Sequence, residues 1–504
     1  MSKNNKNLLF IIPGFFYIKD YQKLLYSNDL PLGTLQLSSF LKERANIETQ
    51  IVDLRVEQEN YPNLAINVPS KPIKCFLKRI LLKKKAIRIQ EKFDQFKNSF
   101  LRCLENNNIQ EFNNIGINCY TSYQYLQSDL IAYILKEEFP KINIIVGGYH
   151  PTAVPDDFSY RNSPYDYVIR GEAELILLDL FKSKRLRRNM ETQIINSDGC
   201  VDINSLPFPD YEMYMQQYPY KNRFKFEFFM SRGCPYQCAF CAKNYEFRAF
   251  SFEKFKKEFE KLRKIVEKYN SNIPKIAFAD QSFNRVSISE KVLDYIIQNG
   301  LQEEFRFSCQ SRVESFENGP NLIKKHRTCR MVIGFGFESA SKKLLSEMHK
   351  TENPKEYIET MKSILNLYKD SNETYCRLNL LSGFPGEDRE TFNENIDFMN
   401  TYALHKNIQI SPTLFSNYPN VFVYQNMDYY EHKYGTEFIK EWWKLPSNTF
   451  KNSIPEKPSK LYTKKQLIKD YKEKYFEVLK EWKKDIFGEL LQWKIFFNKW
   501  YDEL

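Results

Sequence analysis

The run Ser231-Arg-Gly-Cys-Pro-Tyr-Gln-Cys-Ala-Phe-Cys-Ala-Lys243 places Cys234, Cys238 and Cys241 in a CxxxCxxC spacing. Three thiolates with this spacing can bind three irons of a cubane iron–sulfur cluster, which leaves the fourth iron open to another molecule. A zinc site is the alternative, but tetrahedral zinc needs a fourth protein ligand, usually from a second CxxC or HxxxH pair. No such pair follows in the sequence. The spacing therefore favours an iron–sulfur cluster with one open iron.

The length and composition set broad limits on the kind of protein. A chain of 504 residues is long enough for two domains and a further segment. The net charge of +11 is compatible with an anionic partner, but lysine is common along the whole chain, so charge alone does not decide this point. Ten cysteines without a closely spaced, even framework favour a reducing compartment.

The N-terminal apolar run raises the question of a signal peptide. Residues 8–18 are apolar, but Pro13-Gly14 interrupts them and no small-residue cleavage site follows, so the run is interpreted as a buried strand. No other stretch approaches the roughly 20 apolar residues that span a bilayer. We therefore expect a cytoplasmic protein without a transmembrane segment.

The first third of the chain alternates apolar runs with segments of helical periodicity. The predicted strands are 7–13, 48–54, 115–118, 142–146 and 165–170, and the predicted helices are 35–44, 122–138 and 172–181. This βαβα order predicts a Rossmann-like parallel sheet that binds a ligand at the carboxyl ends of its strands. No GxGxxG or GxxxxGK[ST] motif lies near these strands, so a phosphate cradle is not indicated.

A second α/β series follows a proline-containing linker at Ser205–Tyr211. Its predicted strands are 226–230, 275–278, 306–309, 331–336 and 377–381, and polar or glycine residues follow each one. The pattern is typical of a partial (β/α)6 barrel with functional groups at the carboxyl ends of its strands. Two amphipathic helices are predicted between 463 and 500. The predicted domains are 1–200, 207–420 and a mostly helical region over 421–504.

The cysteine motif, with Phe240 just before its last cysteine, resembles that of the radical S-adenosylmethionine (SAM) superfamily. The resemblance implies a [4Fe-4S] cluster that binds the amino and carboxylate groups of SAM and cleaves it reductively to a 5'-deoxyadenosyl radical. Gly334-Phe-Gly-Phe-Glu-Ser339 resembles the GxES element of the family, and this implies that Glu338 contacts the SAM ribose. By the same resemblance, the SAM molecule is also expected to contact Phe240, Gln310, Arg312, Lys350 and Asn379.

Three stretches of the first third, Pro31–Leu37, Gly147–Thr152 and Tyr165–Glu174, resemble the cobalamin-binding domain that precedes many radical SAM enzymes. The resemblance implies cobalamin contacts at Gly33, Thr121, Ser122, Gly147, Gly148, Tyr149, His150, Gly171 and Glu172. The DxHxxG signature, whose histidine ligates cobalt, is absent. We therefore expect cobalamin with its own base displaced, and we expect His150 to shape the loop rather than to ligate cobalt.

Together the two resemblances imply a class B radical SAM methyltransferase. In this family Co(I) takes a methyl group from one SAM, a second SAM provides the radical that abstracts hydrogen from an unactivated carbon, and methylcobalamin delivers the methyl group. A cobalamin-binding cyclase, ring-rearranging enzyme or oxidase is the alternative. A methylthiotransferase would end in a small RNA-binding β-barrel, and a zinc-bearing nucleic-acid module would leave the two α/β halves unexplained.

The expected partners follow from the same resemblance. They are a small-molecule or peptide substrate and a flavodoxin or ferredoxin as reductant. The basic segment Lys71–Lys92 could bind RNA, an anionic lipid surface or an acidic leader peptide, but a solvated helix is the favoured interpretation and a nucleic-acid partner is not expected. Trp442 and Trp443 are candidates for either a substrate pocket or a buried core.

Overall fold

The structure is a computed structural model of the chain. It describes residues 8–14, 30–66, 68, 83–183, 185–186, 191–218, 226–242, 246–269, 274–316, 321–369, 374–445 and 450–475, with the side chains of 83–88 left out. These residues divide into two compact units. The first unit comprises Met1–Lys221 and Glu441–Asn452, and the second comprises Asn222–Lys440 and Ser453–Leu504. A segment from late in the chain is therefore part of the first unit.

The first unit contains a six-stranded sheet in which every neighbouring pair of strands is parallel. Its strands are β1 (Leu8–Ile12), β2 (Thr49–Asp53), β3 (Asn114–Asn118), β4 (Asn143–Gly147), β5 (Tyr167–Arg170) and β6 (Gln193–Asn196). The spatial order is β2-β1-β3-β4-β5-β6, so the order reverses between β1 and β3. In sheets of this kind ligands bind at the carboxyl ends of the strands near such a reversal.

Helices connect these parallel strands, and one more follows the last strand. They are α1 (Leu32–Ala45), α2 (Leu54–Glu57), α3 (Lys83–Asn106), α4 (Tyr125–Glu138), α5 (Tyr149–Ala153), α6 (Glu174–Lys182) and α7 (Tyr211–Gln217). Strand β1 is buried at every position, as expected for a parallel strand covered on both faces. The predicted parallel α/β sheet is confirmed. Strand β6 was not predicted, because it is a short edge strand with mostly exposed residues and carries little apolar signal.

The second unit contains an open sheet whose strands are all parallel and largely follow one another in sequence. Its strands are β7 (Phe226–Phe228), β10 (Lys275–Phe278), β11 (Arg306–Ser311), β12 (Val332–Glu338), β13 (Cys376–Ser382) and β14 (Ile408–Leu414). A short antiparallel pair, β8 (Ser231–Arg232) and β9 (Arg248–Ala249), flanks the cysteine motif. Six parallel strands in the spatial order β14-β13-β12-β11-β10-β7 confirm the predicted partial barrel.

The helices after residue 222 are α8 (Phe252–Tyr269), α9 (Ser289–Gln298), α10 (Leu301–Glu304), α11 (Asn321–Thr328), α12 (Lys342–Glu347), α13 (Pro354–Lys369), α14 (Arg389–Phe398), α15 (Phe422–Gln425), α16 (Met427–Tyr434), α17 (Phe450–Ser453) and α18 (Lys464–Asp470). Helix α8 shows why they pack on the sheet. Its buried residues Phe255, Phe259, Leu262 and Val266 are spaced three or four positions apart and form one apolar face.

Two of the predicted features fall partly outside the described residues. In the basic segment Lys71–Lys92, residues 71–82 lie outside them, and so do Trp482, Trp493 and Trp500 of the second predicted C-terminal helix. The described part of the C-terminal region contains α18 and a π-helical turn at Tyr471–Tyr475, in agreement with the predicted helical character. Among the described residues, no helix combines the length and apolar character needed to cross a membrane.

Candidate functional site

The three cysteines of the motif lie in the loop between β8 and β9, and each is partly exposed. The backbone N–H of Cys241 donates to the carbonyl of Cys238 at 3.0 Å, which makes the second half of the loop a tight turn. Gly233, immediately before Cys234, has a φ of +76°, a conformation that glycine adopts without strain. The local sequence therefore shapes a loop that presents three thiols.

Backbone hydrogen bonds hold this loop against two later parts of the second unit. The Ala239 N–H donates to the carbonyl of Met348 at 2.9 Å, and the Val423 N–H donates to the carbonyl of Ala239 at 3.1 Å. The Asn420 side-chain amide donates to the carbonyl of Ala242 at 2.6 Å. The apolar side of the same region joins a buried cluster. The cysteine motif is thus held by hydrogen bonds at Ala239 and Ala242.

The chemistry of the three thiols suits an iron–sulfur cluster. Thiolates are soft ligands, and separate thiolates bind separate irons of a cubane cluster. The three cysteines lie partly exposed in one loop, so the residues present fit the [4Fe-4S] cluster that the sequence motif implies. The cluster itself stays a prediction.

Arg312 contacts the cysteine loop directly. Its Nη1 donates to the Sγ of Cys238 at 3.0 Å, and its Nη2 donates to the carbonyl of Lys350. The Nε and Nη2 atoms bind the two carboxylate oxygens of Glu314 at 3.2 and 2.6 Å. The guanidinium also lies 3.8 Å from the ring centre of Tyr236. Arg312 is therefore buried next to a predicted cluster ligand with its orientation fixed by four neighbours.

Glu338 and Lys350 form an ion pair near the cysteine loop. The Lys350 Nζ lies 3.3 Å from the Glu338 Oε1 and 5.7 Å from the ring centre of Phe240. Glu338 ends β12 with a φ of +69°, an uncommon conformation for a residue with a side chain. A Cβ at Gly336 would lie 2.8 Å from the Glu338 Oε1, so a side chain there would require the carboxylate to shift. The structure thus brings Phe240, Glu338 and Lys350 together.

Gln310 and Asn379 form a second polar pair in the barrel. The Asn379 amide donates to the Gln310 Oε1 at 2.9 Å, although the residues lie on β11 and β13. The intervening strand β12 places Gly334 beside Gln310, and a Cβ at Gly334 would collide with the Gln310 amide. Gly334 on β12 therefore leaves room for the polar side chains of the two neighbouring strands to meet. The roles of these residues toward SAM remain predictions.

Asp280 is a residue of this region that was not among the predicted site residues. It follows β10, and its Oδ1 accepts hydrogen bonds from the Met230 N–H at 2.9 Å and the Ser231 hydroxyl at 2.5 Å. Burial raises the pKa of Asp280 to about 6. Its Oδ2 has no hydrogen-bond partner among the described residues. Its place after a barrel strand was the only available signal, and the structure shows that it fixes the entry to the cysteine loop.

In the first unit, His150 lies buried in α5, just after Gly147 and Gly148 at the end of β4. Its Nδ1 lies 2.9 Å from the Ser122 hydroxyl and its Nε2 lies 3.2 Å from the Asp157 carboxylate. Burial lowers the pKa of His150, against the opposite effect of Asp157, so the ring is neutral at physiological pH. Both ring nitrogens therefore already have a protein partner.

Hydrogen bonds of Thr152 connect two of the predicted glycine positions, Gly148 and Gly171. Gly148 has a φ of +119°, and a Cβ there would collide with the backbone carbonyl of Cys119. The Thr152 hydroxyl donates to the Gly148 carbonyl at 2.8 Å, and the Gly171 N–H donates to the same hydroxyl oxygen at 3.1 Å. Gly171 also has a positive φ, +87°. Two of the sequence stretches that resemble a cobalamin domain are therefore joined by one threonine.

Several of the predicted positions lie together at the carboxyl edge of the first sheet. The Asn118 amide at the end of β3 donates to the Thr34 hydroxyl at 3.0 Å, which brings the start of α1 to this edge. Among the described residues, no atom lies within 4 Å of a Cβ built at Gly33. The rings of Tyr120 and Tyr149 pack edge to face at 5.0 Å, and Tyr120 is 51% exposed. Gly147 is the last residue of β4, and Thr121 and Glu172 lie in loops at this same edge.

Comparison with known proteins identifies the second unit. Residues 228–399 match the model of the Radical SAM superfamily, so this part of the chain is a radical SAM domain. A solved structure described as coproporphyrinogen III oxidase from Escherichia coli, a radical SAM enzyme, aligns with a TM-score of 0.31 and 12% identity over 43% of this chain and 50% of that one.

Three curated relatives resemble the chain over about half of its length. An uncharacterized methyltransferase of Pyrococcus horikoshii is 27% identical over 56% of this chain and 63% of its own length. The anaerobic magnesium-protoporphyrin IX monomethyl ester cyclase of Cereibacter sphaeroides is 23% identical over 52% and 45%, respectively. The bacteriochlorophyllide d C-12(1)-methyltransferase of Chlorobaculum tepidum is 19% identical over 51% and 54%. The matched region thus spans less than two thirds of each relative.

Proposed function

We propose that this chain, whose residues 228–399 form a radical SAM domain, is a cobalamin-dependent enzyme that methylates an unactivated carbon of a small-molecule or peptide substrate. The observation that carries the proposal is a parallel sheet with glycine loops at its carboxyl edge in the same chain as a radical SAM domain. Two of the three relatives described above are named methyltransferases, which supports the reaction type.

The second unit would hold the cluster and SAM. Cys234, Cys238 and Cys241 would bind three irons of a [4Fe-4S] cluster. When bound, the cluster would supply the electron for SAM cleavage and cobalamin would carry the methyl group. Glu338 would accept hydrogen bonds from the ribose hydroxyls, since a carboxylate has several acceptor positions. Lys350 would neutralise the methionine carboxylate, exchanging its present partner Glu338 for the ligand.

The first unit would hold cobalamin at the carboxyl edge of its sheet. Gly33 would allow the backbone to approach the ligand closely, because it carries no side chain, and Gly148 would set the conformation of the loop after β4. The exposed ring of Tyr120, backed by Tyr149, would provide an aromatic surface. His150 would support this loop without binding cobalt, because both its ring nitrogens are engaged. A flavodoxin or ferredoxin would supply the reducing electrons.

A second candidate function is radical chemistry without methyl transfer, such as cyclisation or oxidation. The observation that favours it is the relative from Cereibacter sphaeroides, whose name describes a cyclase. Both functions need the same cysteines and the same SAM contacts. They differ in the fate of the SAM methyl group.

The fate of that methyl group is therefore the test. Anaerobically reconstituted protein would be incubated with reductant, cobalamin, methyl-labelled SAM and a small-molecule extract as substrate source. We expect S-adenosylhomocysteine and 5'-deoxyadenosine in comparable amounts, and labelled product by mass spectrometry. The Cys238→Ala variant should form no 5'-deoxyadenosine.

Formation of 5'-deoxyadenosine without labelled product would exclude methylation and favour the second candidate. Stoichiometric zinc with little iron would contradict both.

A further inference from the structure

Residues Glu441–Asn452, here called the return segment, belong to the first unit although they come late in the chain. Two tryptophans of this segment are almost completely buried, Trp442 at 0% and Trp443 at 1% exposure. The Trp442 ring packs against Tyr123 at 4.7 Å, in the turn that follows β3. The Trp443 ring packs edge to face against His150 at 5.3 Å. The return segment therefore contacts the loops after both β3 and β4.

The polar contacts of the return segment converge on one buried carboxylate. The side chain of Asp157 is 2% exposed and accepts a hydrogen bond from the Trp443 indole N–H at 2.7 Å. The Lys444 Nζ lies 2.6 Å from its other oxygen. Burial by itself would raise the pKa of Asp157, but the His150 and Lys444 contacts lower it below its usual range. Asp157 is therefore ionised, and the return segment supplies two of its three partners.

The ionised carboxylate determines the state of the neighbouring histidine. Asp157 can only accept, so the His150 Nε2 carries the proton and donates to it across 3.2 Å. The Nδ1 of His150 is then an acceptor, and the Ser122 hydroxyl donates to it across 2.9 Å. This tautomer is assigned from the hydrogen-bond network. Because Ser122 follows β3 and His150 follows β4, the network connects two loops of the carboxyl edge.

We propose that Trp443 and Lys444 are positioning residues for cobalamin binding at the carboxyl edge of the first sheet. They hold Asp157, a residue 286 positions before Trp443, and Asp157 holds the His150–Ser122 pair that sets the two loops. The inference rests on the proposed binding of cobalamin to this edge. If the two residues instead only stabilised the core of the unit, replacing them would have no specific effect on these loops.

The test uses the full chain and hydroxocobalamin, with binding measured by equilibrium dialysis. Trp443→Phe retains the ring beside His150 but removes the N–H donor, and Lys444→Gln removes the cation. We expect each variant to bind cobalamin about tenfold more weakly, the loss that one unmet buried hydrogen-bonding group produces. The matched control is Lys440→Gln, which removes an exposed lysine four positions earlier and should bind as the wild type does. Lys444→Arg, which keeps the cation, should restore most of the affinity.

A second measurement does not need the cofactor. Hydrogen–deuterium exchange of the cofactor-free variants should become faster in residues 119–124 and 147–157 and stay unchanged in the strands of the first sheet. Equally faster exchange throughout the first unit would indicate a merely structural role and overturn the inference. If the wild type binds cobalamin and both variants bind it equally well, the inference is overturned and the proposed function stands. If the wild type binds no cobalamin, the proposed function is overturned as well.

Discussion

At the scale of a single residue, Arg312 makes a contact that the sequence did not predict. The family resemblance implies that Arg312 contacts SAM, and the structure also places its Nη1 3.0 Å from the Sγ of Cys238. Hydrogen bonds to cluster sulfurs and nearby charges set the reduction potential of an iron–sulfur cluster. A fixed guanidinium beside a cluster ligand would stabilise the reduced cluster, which carries one more negative charge. Arg312 is therefore expected to raise the potential.

The corresponding prediction concerns Arg312→Gln. Loss of the positive charge should lower the cluster reduction potential by on the order of 59 mV, which corresponds to a tenfold change in a one-electron equilibrium. The measurement is a redox titration of the reconstituted protein followed by electron paramagnetic resonance. Arg285→Gln is the matched control, because Arg285 is exposed and also lies over the Tyr236 ring, at 5.5 Å. Equal shifts in both variants would show that general charge, not the contact with Cys238, sets the potential.

At the scale of an element, the loop after β4 depends on a backbone conformation that only glycine adopts freely. Gly148→Ala should destabilise the first unit by about 1–3 kcal/mol, because it forces a side chain into a positive-φ conformation and against the Cys119 carbonyl. Chemical denaturation would measure this loss. Gly33→Ala is the contrasting change. Its Cβ would meet no atom of the described part of the chain within 4 Å, so stability should be retained.

Cobalamin binding separates the two glycine variants further. Because the open space at Gly33 is where the ligand is proposed to approach, Gly33→Ala should weaken cobalamin binding without loss of stability. A Gly148→Ala protein as stable as the wild type would contradict the conformational argument. A Gly33→Ala protein with unchanged affinity would show that the ligand does not approach the start of α1.

At the scale of the whole molecule, a buried carboxyl couples stability to pH. Burial raises the pKa of Glu387 from 4.5 to about 8, although the Gly383 N–H donates to its Oε2 and opposes the shift. Its Oε1 has no hydrogen-bond partner within the described ranges. Between these two pH values the folded protein holds a proton that the unfolded chain releases. Stability should therefore fall as the pH rises from about 4.5 towards 8.

Glu387→Gln tests this coupling. Glutamine keeps an acceptor for the Gly383 N–H but cannot ionise, so the melting temperature of the variant should depend less on pH than that of the wild type. The raised pKa of Asp280, about 6, acts in the same direction and should leave part of the dependence in place. Glu390→Gln, at an exposed position on α14, serves as the control and should melt as the wild type does at each pH. An unaltered pH dependence in Glu387→Gln would refute the coupling.

The sequence alone determined the fold class and predicted the chemistry of the cysteine loop. Both depend on local patterns: apolar runs that alternate with helical periodicity predict parallel α/β sheets, and three closely spaced thiols predict a cluster. The match of residues 228–399 confirms the radical SAM resemblance. Weakly patterned elements escaped prediction, such as the exposed edge strand β6.

Only the tertiary structure decided how the site residues are paired. The Arg312–Cys238 contact joins residues 74 positions apart, and the Trp443–Asp157 contact joins residues 286 positions apart. No periodicity or spacing encodes such pairs, because they result from packing between elements that are distant in the chain. The sequence left Trp442 and Trp443 as candidates for either a pocket or a core. Their burial against His150 and Tyr123 follows from the return of the chain to the first unit, because a large apolar ring is stabilised wherever packing removes it from water.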